Sequence, residues 1–134
     1  MERIGLKRLE ALHDQLEILQ DKREAFKELL VNVPAIDYEK AKVQTSIFQD
    51  PAFAKVAAEL SDIEAQIARL TVEYITAKAE IIERLYRLPK RQRDVLFKRY
   101  VEFKSLTQVA GEMVLSYAHI RRLHQQALYN FYAN

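Results

Sequence analysis

The feature that most constrains this sequence is a stripe of apolar residues between Asp50 and Leu88, which recur every three or four positions except for one lapse at Arg84. The stripe consists of Phe53, Val56, Leu60, Ile63, Ile67, Leu70, Tyr74, Ala77, Ile81 and Leu88. Asp50 followed by Pro51 is typical of a helix start, because the acid can cap the helix and the first helical position tolerates proline. The spacing predicts one helix of about 36 residues, roughly 54 Å long. Such a helix cannot bury its stripe alone and needs another helix, another chain or both.

A similar stripe near the N-terminus supplies a partner for this helix. We expect a helix from about Glu2 to Leu30, since apolar residues recur there at the alternating three- and four-residue spacing of coiled coils. Its members are Leu9, Leu12, Leu16, Leu19, Phe26 and Leu30, with one interruption at Arg23. The two stripes are neighbours along the chain, so a long antiparallel, coiled-coil-like hairpin is the simplest way to bury both. Residues 31–49 are expected to form a structured connector.

Three further apolar residues lie off the main stripe of the long helix, namely Ile75, Ile82 and Leu85. We expect them to leave apolar surface that the hairpin alone does not cover. A second copy of the chain would cover it, so the sequence predicts a homodimer.

The composition favours an all-α fold, because two glycines and three prolines in 134 residues leave few positions that break a helix. The absence of cysteine excludes disulfides and cysteine-based chemistry, and it fits a cytoplasmic protein. No apolar run approaches the roughly 18 residues that a membrane helix needs, and the first ten residues lack the apolar segment of a signal peptide. We therefore expect a soluble, cytoplasmic protein with no membrane partner.

The sequence carries no motif for catalysis. A glycine-rich phosphate loop and a HExxH pair are both missing. His119 and His124 are five residues apart, which puts them on different faces of one helix and argues against a shared metal site. Acidic neighbours such as Asp62 and Glu64 are expected to form solvated pairs with lysine and arginine. The prediction is no enzyme, no catalytic residue, no cofactor and no metal site.

The stretch from Leu88 to Leu128 has the pattern of three short helices separated by turns. Pro89 suits the first turn of a helix. Ser105 with Gln108 matches a capping box, and Ser116 is a candidate N-cap for the last helix. The apolar positions of the three helices are Val95, Leu96 and Tyr100, then Val109, Ala110 and Met113, then Ile120, Leu123, Ala127 and Leu128. Three such helices predict a helix-turn-helix.

Charge divides the chain at nearly the same place. From Arg84 onward there are ten Lys/Arg and three Asp/Glu, a local charge of +7, whereas the preceding residues hold eleven and sixteen, a charge of −5. A basic excess on a helix-turn-helix is what a nucleic-acid-binding domain requires. We predict two domains: residues 1–87, a helical hairpin that oligomerises, and residues 88–134, a DNA-binding helix-turn-helix.

A family resemblance rests on the same stretch. Its residues are Leu88-Pro89, Gln92-Arg93, Val95-Leu96, Arg99-Tyr100, Ser105-Leu106, Val109-Ala110, Ser116, Ile120-Arg121-Arg122-Leu123-His124 and Ala127-Leu128. This series resembles region 4 of bacterial sigma factors, the module that reads the promoter −35 element. With its helical front end and the segment YEKAKVQTS, the whole chain more closely resembles the phage-encoded ArpU/RinA-like late regulators of Gram-positive bacteria. That resemblance implies a transcriptional activator of phage or prophage late genes, acting in a bacterial host cell.

One position departs from the family pattern. Such motifs usually carry glycine in the turn between the two helices, where this chain has Val114 and Leu115. A β-branched residue tolerates a positive φ poorly. We therefore expect either another turn conformation or an altered crossing angle between the helices.

The second helix of a helix-turn-helix enters the major groove with its N-terminal part. The residues expected to enter are Ser116, Tyr117, Ala118, Arg121, Arg122 and Gln125, and the resemblance implies that these positions face the −35 bases. The residues expected to contact phosphates are Arg91, Arg93, Lys98, Arg99 and Lys104, with His119 adding a contact when it is protonated. The alternative for each arginine is a salt bridge to Glu102 or Glu112.

The partners expected are double-stranded DNA, a second copy of the chain, and RNA polymerase or another regulator docked on the acidic hairpin. A competing hypothesis is a protein-interaction module. In that case the hairpin is the working surface, and the C-terminal end binds RNA polymerase or another regulator without reading DNA.

Overall fold

The computed structural model of this chain describes residues 5–31 and 50–133. These residues form five α-helices and no strand, which confirms the predicted all-α class. The helices are α1 (Leu6–Val31), α2 (Pro51–Leu85), α3 (Lys90–Leu96), α4 (Leu106–Met113) and α5 (Tyr117–Ala133), and a π-helical segment (Phe97–Val101) continues α3. None of these helices is long and apolar enough to cross a membrane. Beyond Val31 the predicted connector lies outside the described residues, as do the first three residues of the predicted N-terminal helix.

The described residues pack as two compact units, and both long helices contribute to each. One unit comprises the described residues of Met1–His13 and Val72–Asn134, and the other those of Asp14–Thr71. The first unit thus contains the N-terminal end of α1, the C-terminal end of α2 and everything from α3 onward. The predicted division into residues 1–87 and 88–134 stays a prediction.

In the unit of Asp14–Thr71, both predicted stripes supply the core. Leu16, Ile63 and Ile67 are buried there. Helix α2 starts as predicted, because the Asp50 carboxylate accepts a hydrogen bond of 2.8 Å from the backbone N–H of Ala52. This cap satisfies a backbone donor that has no partner within the helix.

The core of the other unit joins α1 and α2 to the C-terminal helices. Its fully buried side chains include Leu6, Leu9, Ile81, Leu85, Val95, Leu96, Val109, Ile120 and Phe131. Leu85 is 0% exposed, so the expectation that it leaves apolar surface over is wrong. Because Leu85 follows Ile81 by four residues, it shares the buried face of α2.

Two side chains fix the C-terminal turn of α5 within this unit. The backbone N–H of Leu6 donates to the hydroxyl oxygen of Tyr132 at 3.1 Å. The guanidinium of Arg84 donates to the carbonyl oxygen of Phe131 at 2.9 Å and lies 4.2 Å from the centre of the Phe131 ring. Both contacts satisfy backbone groups at helix ends, where no partner within the helix is available.

The π-helical segment changes the way in which the end of α3 packs. The predicted pattern was α-helical, with Val95, Leu96 and Tyr100 as the buried residues. In the structure Tyr100 and its neighbour Val101 are both buried. A π turn adds one residue to a helical turn, and this widening turns two consecutive side chains toward the core.

Helix α4 has the predicted capping box, since the Ser105 hydroxyl and the Gln108 side chain each bond to the backbone N–H of the other residue. At its other end Val114 adopts the left-handed conformation, with φ 54° and ψ 47°. Its N–H donates to Gly111, and the N–H of Leu115 donates to Ala110. This bond pair is that of a Schellman turn, which usually holds glycine at the left-handed position. Of the two expected alternatives, another turn conformation is therefore wrong: the turn keeps the glycine-type conformation, with the strain of a β-branched residue in it. The altered crossing angle stays a prediction.

Candidate nucleic-acid interface

The three helices of the predicted helix-turn-helix share one apolar core. Val95 from α3, Val109 and Ala110 from α4, and Ile120 from α5 form a buried cluster. Four partly buried residues pack against this cluster, namely Leu106, Met113, Leu115 and Leu123. With its inner face fixed in this way, α5 has one defined outer face.

The outer face of α5 holds the residues that were expected to enter the groove. Ser116 caps the helix, because its hydroxyl accepts a hydrogen bond of 3.1 Å from the N–H of His119. Ser116, Tyr117, Ala118, Arg121, Arg122 and Gln125 are all exposed. The last four of these line one shallow surface concavity. Their spacing of three, four and seven residues places them on one side of a helix.

The two arginines of this face have no acidic partner in the part of the chain that the structure describes. Arg121 lies over the ring of Tyr117, with 5.9 Å between the guanidinium carbon and the ring centre. Within residues 5–31 and 50–133, Arg121 and Arg122 form no ion pair. The alternative of a salt bridge to Glu102 or Glu112 is therefore not realised for either arginine.

Those two acids pair with lysines instead. Lys104 Nζ lies 2.8 Å from a Glu102 oxygen and 2.7 Å from a Glu112 oxygen. Lys98 Nζ lies 3.7 Å from the other Glu112 oxygen. The hydrogen bonds to Glu102 and Glu112 raise the pKa of Lys104, and the hydrogen bond from Lys104 lowers the pKa of Glu112. Both shifts favour the charged forms of Lys104 and Glu112, and the cluster connects α4 to the end of the π-helical segment.

The arginines expected at phosphates occupy different surroundings. Arg91 is exposed near the start of α3. Arg93 lies over the Tyr86 ring, 4.7 Å from its centre, and Arg99 over the Tyr100 ring at 5.1 Å. Both are partly buried. His119 is also partly buried, with its backbone held by the Ser116 cap.

Sequence reasoning missed a polar contact beneath the outer face of α5. The Tyr100 hydroxyl lies 2.8 Å from His124 Nε2, and the two rings are stacked with centres 5.7 Å apart. Burial raises the pKa of Tyr100. Burial, followed by the nearby charge of Arg99, lowers the pKa of His124. This neutral pair joins α5 to the π-helical segment, and no local sequence signal indicates it because the residues are 24 positions apart.

A second missed contact has a signal that can be read in the sequence. Asn130 donates to the Gln92 side chain at 2.8 Å, and Arg84 bonds to the end of α5. Arg84 is a charged residue that interrupts the apolar spacing of α2, and such an interruption indicates a specific partner in the fold. Together these contacts fix the orientation of α5 against α2 and α3.

Residues 84–130 match the family model of sigma-70, region 4. The match covers about a third of the chain, from the last turn of α2 into the last turns of α5. It confirms the predicted resemblance at the level of a sigma-region-4-like helix-turn-helix, a DNA-binding and non-enzymatic type of domain. Comparisons with curated proteins and with solved structures found no match.

Proposed function

We propose that this chain is a sequence-specific transcriptional regulator that reads the major groove of double-stranded DNA with the helix of residues 116–128. The observation that carries this proposal is the outer face of α5. It presents two arginines that have no acidic partner within residues 5–31 and 50–133, beside a shallow concavity on a region-4-like fold. A protein surface that keeps cations unpaired is suited to a polyanionic ligand.

The dimensions of α5 fit this role. Its 17 residues span about 25 Å, and a major groove about 12 Å wide admits one helix end-on or along its axis. With the capped end inserted, Arg121 and Arg122 are placed for guanine O6 and N7. Gln125 is placed for adenine, and Tyr117 for a thymine methyl group or a phosphate.

Phosphate contacts would come from the residues around the reading helix. Arg91, Arg93 and Arg99 keep their charge without an acidic partner among the described residues. Lys98 and Lys104 share theirs with Glu112, so we expect weaker contacts from them. These contacts set affinity and register and carry no sequence information themselves.

The helical front end, formed by α1 and α2, would mediate association of two chains. We propose that α1 and α2 form the antiparallel, coiled-coil-like hairpin, and that two chains associate so that two readers bind two half-sites. Avidity then compensates for the small interface of one reader. The acidic surface of the front end would dock RNA polymerase. In this scheme the protein is an activator of phage or prophage late genes in the cytoplasm of a bacterial host.

A salt series distinguishes this proposal from the protein-interaction alternative. Fluorescence anisotropy with labelled mixed-sequence duplex, from about 50 to 200 mM salt, should show a linear log–log loss of affinity with a slope near −0.9 per phosphate contact. Competition with duplexes from the neighbouring genome then identifies the preferred site. If the protein binds no duplex at low salt but retains RNA polymerase on a column, the interaction module is the correct function.

A further inference from the structure

Helix α2 has a second apolar stripe outside the core. The stripe consists of Val72, Ile75, Ala79, Ile82 and Tyr86. We call this set the second stripe. Its spacing of three, four, three and four residues is that of a coiled-coil seam, about 21 Å long. Val72 is 65% exposed and Ile75 is 60% exposed, and all five residues belong to the unit that contains the helix-turn-helix.

This stripe is distinct from the face that α2 uses within its own unit. Ala77, Ile81 and Leu85 are buried against that core. On a helix with 100° between successive residues, the centre of the second stripe lies roughly 140° away from them. The helix is thus apolar on two faces, and its own unit covers the face of Ile81. Apolar residues in continuous coiled-coil spacing are typical of an interface between helices.

Residues of opposite charge flank the two edges of the second stripe, and their positions bear on which partner could pack against it. With Val72 in the first heptad position, Lys78 takes position g on one edge and Glu83 takes position e on the other. Lys78 Nζ lies 5.6 Å from the centre of the Tyr74 ring, and Glu83 is exposed. Neither side chain forms an ion pair within the two described segments. The two edges therefore carry opposite, available charges.

We propose that the second stripe is a homodimer interface in which the two α2 helices run parallel and in register. In a parallel pair, position g faces position e of the next heptad on the partner helix. Lys78 of each copy then meets Glu83 of the other, twice over by symmetry. In an antiparallel pair, g faces g and e faces e, so Lys78 and Glu83 lie on opposite sides and cannot meet. The charge pattern thus selects both the occupant and its orientation.

The orientation has a consequence for DNA reading, which rests on the proposed function. Parallel helices place both C-terminal ends of α2 at the same end of the dimer. Each is followed directly by its own α3, π-helical segment, α4 and α5. Two readers at one end can reach two half-sites on one duplex, whereas an antiparallel pair would separate them.

Sedimentation velocity across a concentration series tests the interface without DNA. The wild-type chain should show a reversible monomer–dimer equilibrium. Ile75→Glu places a charge on the stripe and should weaken association by roughly tenfold or more. The matched control is Ile18→Glu, which changes an equally exposed isoleucine (66% against 60%) of α1 and should associate as wild type. A wild-type chain that stays monomeric at several hundred micromolar overturns the proposal, as does equal weakening by both substitutions.

Because Ile75→Glu could weaken association by disturbing the fold, a second test exchanges the charges of Lys78 and Glu83. Glu83→Lys should weaken the dimer, because it sets two lysines against each other, and the double variant Lys78→Glu with Glu83→Lys should restore it. Circular dichroism should show unchanged helix content in all variants. If the double variant associates as weakly as Glu83→Lys while its helix content is intact, the proposed pairing of Lys78 with Glu83 is wrong. The parallel arrangement, which was argued from that pairing, is then wrong as well.

Cysteine cross-linking reports the orientation directly, since the chain has no native cysteine. A parallel pair brings the two Val72→Cys residues opposite each other, within the Cα separation of about 7 Å that a disulfide requires. Diamide should then yield a covalent dimer. An antiparallel pair that overlaps along the whole stripe separates these residues by about 21 Å, and absence of the covalent dimer from an associating sample contradicts the proposal.

The two proposals fail in different ways. A chain that dimerises through the second stripe but binds no duplex refutes DNA reading and leaves the interface standing. A chain that binds duplex with the same affinity and site number in wild-type and Ile75→Glu forms, while both sediment as monomers, refutes the interface and leaves DNA reading standing.

Discussion

Two groups of cations in the unit that contains the helix-turn-helix differ in how much of their charge is available. Arg121 and Arg122 on α5 have no acidic partner among the described residues, whereas Lys98 and Lys104 share Glu112, and Lys104 also contacts Glu102. All four count equally in the local charge of +7. The comparison shows that a charge count identifies a basic region but not which of its cations lack an acidic partner. We expect the binding face to lie where the described residues leave cations without such a partner.

The largest expected effect on DNA binding comes from changing Arg121, one of the two arginines of α5. Arg121→Ala should reduce the affinity for the preferred duplex by about 1–3 kcal/mol and relax selectivity at one base pair, because a bidentate guanine contact is lost. Anisotropy titrations against the preferred duplex and its single-base variants measure both effects. Arg69→Ala is the control, since it removes an exposed arginine from the other unit. If Arg121→Ala and Arg69→Ala bind every duplex alike, α5 is not the reader.

A second test concerns the turn that orients α5. Val114 is 87% exposed and sits at φ 54°, where a side chain costs about 1–2 kcal/mol and glycine costs little. Val114→Gly should therefore raise the free energy of unfolding by about 1 kcal/mol, partly offset by the greater freedom of glycine in the unfolded chain. Urea denaturation monitored by circular dichroism measures the change.

The other end of α4 provides the matched comparison for that test. Phe103 also has a positive φ, 60°, but its ring lies 4.4 Å from the His13 ring, centre to centre. Phe103→Gly should relieve the same strain and yet destabilise the protein, because it removes a packed aromatic ring. A gain in stability from both glycines would mean that the Phe103 contact contributes little, and a loss from both would mean that the Val114 turn is not strained.

Removing the charge of Glu112, the acid that Lys98 and Lys104 share, should change the affinity for duplex DNA. Glu112→Gln leaves Lys98 without an acidic partner and Lys104 with only Glu102. The freed charge should strengthen binding to every duplex a few-fold at low salt and steepen the log–log salt dependence by up to about 0.9. The measurement is the anisotropy salt series, with Glu64→Gln on α2 as a control for net charge. An unchanged slope would show that Lys98 and Lys104 lie away from the phosphates.

Local signals in the sequence predicted much of this arrangement, and contacts between distant residues explain what they missed. Asp50, Ser105 and Ser116 were identified as caps because a cap and its partner are two or three residues apart. The Tyr100–His124 pair and the Leu6–Tyr132 bond span 24 and 126 residues, and no periodicity encodes them.

The sequence pattern also could not predict the backbone conformation at two places, the π-helical segment and the turn at Val114. The α-helical spacing did not indicate the π-helical segment, because widening a turn by one residue depends on packing in the folded core. Val114 was identified as unusual for its turn, but whether valine would change the turn or accept the strain depends on the Schellman bonds around it. The exposed residues of α5 were predicted one by one. That Glu102 and Glu112 pair with Lys98 and Lys104, and not with Arg121 or Arg122, became visible only in the folded structure.

The smallest expected effect is a pH dependence of stability that comes from His124, a single half-buried imidazole. Burial lowers the pKa of folded His124 below its ordinary value near 6.5, so the unfolded chain binds a proton more readily. Its contribution to stability is complete above about pH 6.5 and is lost as the pH falls toward the folded pKa. Urea denaturation at pH 7.5, 6.5 and 5.5 should show a stability advantage of wild type over His124→Gln that shrinks with falling pH. An advantage that grows instead would mean that the charged imidazole is the stabilised form, held in place by an acid that the Tyr100 contact does not provide.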